Sequence, residues 1–374
     1  MRIDCDFDGG SILVLSEDPA DVRLALRPDT HAEYLQWFYF RVSDASELTA
    51  PIRILGAAGA TYPTAWQFYR AYASYDQETW FRVDVELTDG DLAIDHRPEE
   101  EVVYYAYFVP YSLARHAALL DGAERSGRCR RRDLGRSHEG RAITELTFGD
   151  PEAGLQLWFT ARQHPGETMA EWYAEGLIER LLDEDDAVVS YLLERAAIHV
   201  VPNMNPDGSV RGNLRCNALG VNPNRTWDRP TRAASPEVRC VLAAMDAAGV
   251  DFFLDAHGDE QFRHCFVVGA EGNPSYSRRI AGLERRFVEE LLLASSDFQD
   301  HLCYDRDLPG EGDLSIANNQ VGERFDCLSL TLEMPFKDLV DDPEDDAWGW
   351  TPNRSKQLAR DTLSALADLL RELR

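Results

Sequence analysis

The chain is expected to fold as an α/β protein, a sheet with helices on its faces, preceded by a smaller antiparallel β-sandwich. Two observations carry this. Over residues 142–374 strand-like runs alternate with stretches of helical periodicity, the order that builds a helix-covered sheet. Before them, residues 11–109 hold only short alternating or aromatic-rich runs separated by turn residues, the texture of a sandwich about a hundred residues long.

Within the first part, residues 12–15, 22–26, 36–42, 52–55, 80–87 and 102–108 read as strands, and Asp89-Gly90-Asp91 reads as a turn. The aromatic run Trp37-Phe38-Tyr39-Phe40 has strand spacing and is expected to pack in the core or between domains. Residues 111–122 have helical periodicity and bridge to the second part, which sets expected domains of 1–110 and 111–374. There, strands 142–148 and 155–160 lead into a helix from about 167 to 182 and further helical sequence to 195. A buried strand at 197–201, a long loop, a helix at 236–247 and a strand at 251–256 follow. Residues 328–336 form an apolar strand, and 353–374 an amphipathic helix that should pack on the sheet.

The formal charge of −28 disfavours a nucleic acid or an anionic membrane as partner, since both reward clustered positive charge. The acidic runs 183–186 and 341–346 lack the regular spacing of a calcium loop and read as solvated charge. Seven cysteines form no C-x-x-C pair, which suits a reducing compartment. The N-terminus lacks the order of a secretory signal, and no apolar run approaches bilayer length. A soluble cytoplasmic protein is therefore expected; oligomeric state is not legible.

Chemistry concentrates where strands end. Strand 155–160 runs into Arg162-Gln163-His164-Pro165-Gly166-Glu167-Thr168, whose Pro-Gly turn sets an imidazole and a carboxylate three residues apart. Taken alone, Glu167 is also explained as a first-turn acid favoured by the helix dipole, and His164 as a loop residue. A second strand ends in Asp255-Ala256-His257-Gly258. His164, Glu167 and His257 together make the three-ligand set that leaves a fourth zinc position open for water. The loop after strand 197–201 holds Asn205-Pro206-Asp207-Gly208, Gly212-Asn213-Leu214-Arg215 and Asn224-Arg225-Thr226-Trp227. Asn224 and Arg225 offer an amide and a two-pronged cation suited to a carboxylate, and Arg215 a charge for a developing oxyanion. For any one arginine, surface solvation is the competing explanation. Glu333 is an acid near the end of an apolar strand, either a general base with a raised pKa or half of a buried ion pair.

These motifs, in this order, resemble the zinc metallocarboxypeptidases related to carboxypeptidase A, and among them the cytosolic carboxypeptidase subfamily. Leu134-Gly135-Arg136-Ser137 with Gly140-Arg141 and Leu332-Glu333 extend the resemblance across roughly 134–336. It implies a mixed central sheet flanked by helices, with one zinc ion on His164, Glu167 and His257. It further implies Glu333 as the acid/base, Arg215 at the scissile carbonyl, and Asn224 with Arg225 at the substrate's terminal carboxylate. The expected activity is removal of C-terminal residues, glutamate among them, from peptides or protein tails. Arg263, Arg306 and Arg324 are candidates for an acid-accepting pocket. Two positions depart from the family: Asn222 stands where an aspartate orients a zinc histidine, and no tyrosine lies between 305 and 332, Tyr304 being the nearest. Competing readings are a zinc deacylase of N-acyl amino acids and a peptide-binding module without catalysis.

Overall fold

A computed structural model describes residues 1–337, 339 and 349–373, so the acidic run at 341–346 lies outside the described residues. The first part forms β1 (Arg2–Asp4), β2 (Leu13–Asp18), β3 (Asp21–Ala25), β4 (Tyr39–Ser43), β5 (Ile52–Leu55), β6 (Ala71–Ser74), β7 (Trp80–Val83), β8 (Val85–Thr88), β9 (Asp91–Ile94) and β10 (Val102–Ala106). These make two five-stranded sheets, ordered β1-β4-β10-β6-β7 and β2-β3-β5-β9-β8. Neighbours pair antiparallel apart from β3 with β5, which run parallel. The run expected as one strand at 80–87 is two, because the chain leaves one sheet at Val83 and joins the other at Val85. Asp89 (φ 54°) and Gly90 (φ 90°) close the β8–β9 hairpin in the left-handed conformations that match strand twist.

The second part contains α1 (Leu113–Arg125), β11 (Cys129–Arg136), β12 (Ala142–Phe148), β13 (Leu155–Ala161), α2 (Thr168–Leu181), α3 (Ala187–Leu193), β14 (Ala196–Val201), α4 (Pro206–Arg211) and α5 (Pro236–Ala248). It continues through β15 (Phe252–Asp259), β16 (Phe266–Val268), α6 (Arg278–Ala294), α7 (Ala317–Phe325), β17 (Leu328–Pro335) and α8 (Pro352–Leu369). The sheet order is β11-β12-β14-β13-β15-β17-β16, parallel from β14 to β17 and antiparallel at both edges. It is the mixed sheet expected, and its central strands are buried on both faces. Along β15, Phe252 and Leu254 join a core with Leu177 of α2, Phe287 of α6 and Leu363 of α8. Phe253 points the other way, toward Val241 of α5 and Val321 of α7. The first of these cores continues into the sandwich, where Tyr107 stacks on Phe336 at 4.7 Å. In the other acidic run, Asp186 caps α3 and takes an ion pair from Arg180 at 2.8 Å.

The topology places a crevice. From β13 the chain crosses over α2 and α3 to β14 on one side, then over α5 to β15 on the other. Strand order reverses there, and the connections leaving the carboxyl ends of β13 and β15 run to opposite sides, the place where such sheets bind ligands.

Candidate active site

The end of β13 is folded tightly. Arg162 adopts φ 56°, a left-handed conformation unusual for a side chain of its size. Its guanidinium holds the turn that follows, donating to Pro165 O (3.0 Å) and Tyr111 O (2.8 Å) and pairing with Glu171 at 2.5 Å. The strained turn aims His164 and Glu167 at one point. Glu167 occupies the cap position of α2 yet makes no side-chain cap bond, because its carboxylate is engaged elsewhere. Its Oε1 lies 2.7 Å from His164 Nδ1 and its Oε2 2.7 Å from His257 Nδ1. The two Nδ1 atoms face one another at 3.1 Å.

Three donor atoms, one from each of these buried residues, lie within 4.8 Å of one another. Two ligand atoms on a tetrahedral zinc at about 2.05 Å are separated by about 3.3 Å, so the donor set and its spacing fit that ion. Burial, followed by Arg215 nearby, lowers the His164 pKa to about 4, which keeps the ring neutral and able to donate a lone pair. Both histidines are oriented from behind. His257 Nε2 meets Asp255 Oδ2 at 2.8 Å, and Asp255 is itself held by Thr160 Oγ1 at 2.7 Å and by Gln163 Nε2. His164 Nε2 meets the neutral amide oxygen of Asn222 at 3.1 Å. One ring thus has a charged support and the other an uncharged one.

Around this centre lies a cavity of about 360 Å³ lined by Glu333, Arg215, Asn224 and Arg225, among others. Register sets His257 opposite Glu333 across β15 and β17. Glu333 is 8 % exposed, and its Oε2 is buried without a hydrogen-bond partner among the described residues. Burial pushes its carboxyl well above the ordinary range; His257 opposes the shift, and Glu167 and Asp259 add to it. Of the two readings of Glu333, the buried ion pair has no partner among the described residues. Arg215 donates to the Tyr62 hydroxyl (2.8 Å) and lies 3.7 Å from Glu167 Oε1. Burial disfavours the Arg215 cation, but Tyr62, Glu167, Glu260 and Glu333 outweigh it. The peptide N–H groups of Leu214, Arg215 and Cys216 all donate to the carboxylate of Asp29, from the sandwich, at 2.5–2.8 Å. Asn224 accepts from Ala317 N (2.8 Å) and turns its amide nitrogen toward His257. Arg225 donates to Asn224 O (2.6 Å), and burial together with Arg215 lowers its pKa.

All seven residues expected from sequence therefore meet at one cavity. Of the three arginines considered for side-chain selection, Arg306 lines it and lies 3.4 Å from Glu271. Arg324 of α7 instead pairs with Asp246 of α5, and Arg263 lies over the ring of Phe68. Tyr304 also lines the cavity and donates to Asp259 Oδ2 at 2.6 Å. Asp255, Asp29, Tyr62 and Glu260 were missed. Asp255 had a signal, since a residue two before His257 on a strand shares its face. Asp29 and Tyr62 lie too far away in sequence to leave one.

Two family models match the chain, one describing the cytosolic carboxypeptidase N-terminal domain over residues 3–108 and one describing zinc carboxypeptidase over 118–299. A metallo-carboxypeptidase from Pseudomonas aeruginosa, solved in complex with (2-guanidinoethylmercapto)succinic acid, is 46 % identical. It superposes with a TM-score of 0.96, covering 100 % of both chains. One from Burkholderia cenocepacia is 43 % identical with a TM-score of 0.96 and 99 % coverage of each chain. Mouse cytosolic carboxypeptidase 6 is 25 % identical over 302 residues, which are 72 % of this chain and 55 % of the mouse protein. With whole-chain likeness to metallo-carboxypeptidases and both family models in their proper order, this chain belongs to the zinc carboxypeptidase family, in the branch that carries the cytosolic carboxypeptidase N-terminal domain.

Proposed function

We propose that the protein is a zinc-dependent carboxypeptidase that removes C-terminal residues from peptides or protein tails, holding one zinc ion on His164, Glu167 and His257. The observation that carries this reading is the convergence of those three donor sets beside the orphaned Oε2 of Glu333. Zinc supplies Lewis acidity, which acidifies water and polarises a carbonyl. Glu333, buried and with a raised pKa, takes the proton from the attacking water and returns it to the leaving amine nitrogen. Arg215, steadied by Tyr62 and by the Asp29-bound loop, donates to the carbonyl oxygen as it gains charge. Arg225 and the amide of Asn224 receive the terminal carboxylate. A succinic acid derivative on the Pseudomonas relative is in keeping with a carboxylate receptor here. Release of glutamate, expected from the resemblance, rests on Arg306 in the cavity wall. Residues 1–110 and 111–374 are the proposed domains, and the cytoplasm is the proposed compartment, in keeping with seven free cysteines.

Glu333→Gln tests the role of the acid. The variant is expected to bind one zinc ion with wild-type stoichiometry while kcat falls by about a hundredfold to ten-thousandfold. Retained turnover removes Glu333 from the mechanism.

A further inference from the structure

Glu260 follows the metal-site strand β15 by one residue and has no part in the chemistry above. It is 3 % exposed, lines the active-site cavity, and its Oε1 is buried without a hydrogen-bond partner among the described residues. An unpartnered buried carboxyl is costly, and burial, with Glu167 adding and Arg215 opposing, pushes this one well above the ordinary range. Neighbouring groups that could satisfy it are committed elsewhere. Lys337 Nζ donates to Thr64 O (2.9 Å) and Gln261 O (3.2 Å), and Arg215 turns to Tyr62.

The same bonds join the turn that carries Glu260 to the sandwich beside the cavity. Lys337 clamps the sandwich segment Pro63–Trp66 to the turn after β15, and Tyr62 N donates to Gln36 Oε1 at 3.1 Å. Tyr62 is thereby held on Arg215, and Glu260 lines the same cavity. With the terminal carboxylate at Arg225 and the scissile carbonyl at Arg215, a peptide runs from Arg225 past Arg215 toward Tyr62. A group on the Tyr62 side of Arg215 would meet the acyl part, the part that remains after the last residue is released, and Glu260 lines the cavity there with Tyr62 and Arg215.

We propose that Glu260 recognises a positively charged nitrogen on the acyl side of the scissile bond, supplied by the free α-ammonium of a dipeptide or by a basic penultimate side chain. This rests on the carboxypeptidase reading. A cation there completes the orphaned oxygen with a charge-assisted hydrogen bond and removes the penalty of its burial.

The test uses the zinc-loaded full chain and three peptides that share whichever C-terminal residue X the wild type releases fastest: Ala-X, N-acetyl-Ala-X and N-acetyl-Lys-X. In the wild type one cationic substrate should exceed N-acetyl-Ala-X in kcat/KM by at least about tenfold, the effect of one charge-assisted hydrogen bond. Preference for Ala-X identifies the α-ammonium as the source, and preference for N-acetyl-Lys-X the side chain. Glu260→Gln should bring that ratio to about one, and Glu260→Asp to an intermediate value. A wild-type ratio near one for both cations overturns the proposal without need of any variant. So does a ratio that survives in Glu260→Gln, including the case where both rates fall in parallel. Failure to release X from any peptide overturns the carboxypeptidase reading itself, and the proposal with it.

Discussion

Asp255 Oδ2 sits 2.8 Å from His257 Nε2, whereas His164 leans on the neutral Asn222. The charged contact would raise the basicity of one proposed ligand ring and fix its orientation. Asp255→Asn is therefore expected to weaken zinc affinity by about tenfold to a hundredfold, read by competition with a chelator of known affinity. Affinity within twofold of wild type would show that the strand geometry alone orients His257. A second residue has a pH signature away from the site. Glu237 on α5 is fully buried with Oε1 unpartnered among the described residues, and burial pushes its pKa from 4.5 up to about 7. The folded state thus holds the proton more tightly than the unfolded one, so stability is intact below pH 4.5 and declines as pH rises toward 7. Glu237→Gln should raise the melting temperature at pH 8, by up to about 3 kcal/mol of stability, and leave it nearly unchanged at pH 4.5. At this scale the candidate ligands His164, Glu167 and His257 were legible because His164 and Glu167 flank a Pro-Gly turn between a strand and a helix, and His257 stands near a strand end with a glycine beside it. Glu260 was not, because a carboxylate without a partner looks in sequence like any surface acid.

Between elements, α2 crosses α8 closely enough that a Cβ on Gly176 would lie 2.7 Å from Lys356 Cβ, and closer still to its backbone. Gly176→Ala should destabilise the fold by about 1–3 kcal/mol in urea denaturation, since neither helix backbone yields cheaply. Gly282 in α6 has nothing within 4 Å of the same position. Gly282→Ala is the control and should be neutral or stabilising by up to about 1 kcal/mol. Periodicity located α2, α5 and α8, whose apolar stripes face the sheet. It did not reveal β6, an Ala71-Tyr72-Ala73-Ser74 segment buried at every position and so without alternation. Nor did it reveal β11, whose run of arginines disguises an edge strand paired on one side.

In the whole molecule the sandwich does more than precede the catalytic sheet. Its Asp29 binds the loop that carries Arg215, its Tyr62 receives the Arg215 guanidinium, and its aromatic core runs on through Tyr107 and Phe336. The two-part order of the chain could be read from where strand-only sequence gives way to strands alternating with helices. The joint between the parts could not, since Asp29 and Arg215 are separated by 186 positions and Tyr62 and Arg215 by 153, and no local pattern marks either contact. The central claim is that this joined cavity reads a free C-terminus and cleaves the bond before it. Zinc-loaded protein should be given a matched pair of peptides, one with a free C-terminal carboxylate and one amidated, and released amino acid measured. The account predicts release from the free peptide and a loss of at least about a hundredfold in kcat/KM on amidation, because Arg225 is then left without its partner. Equal cleavage of the two peptides would contradict it.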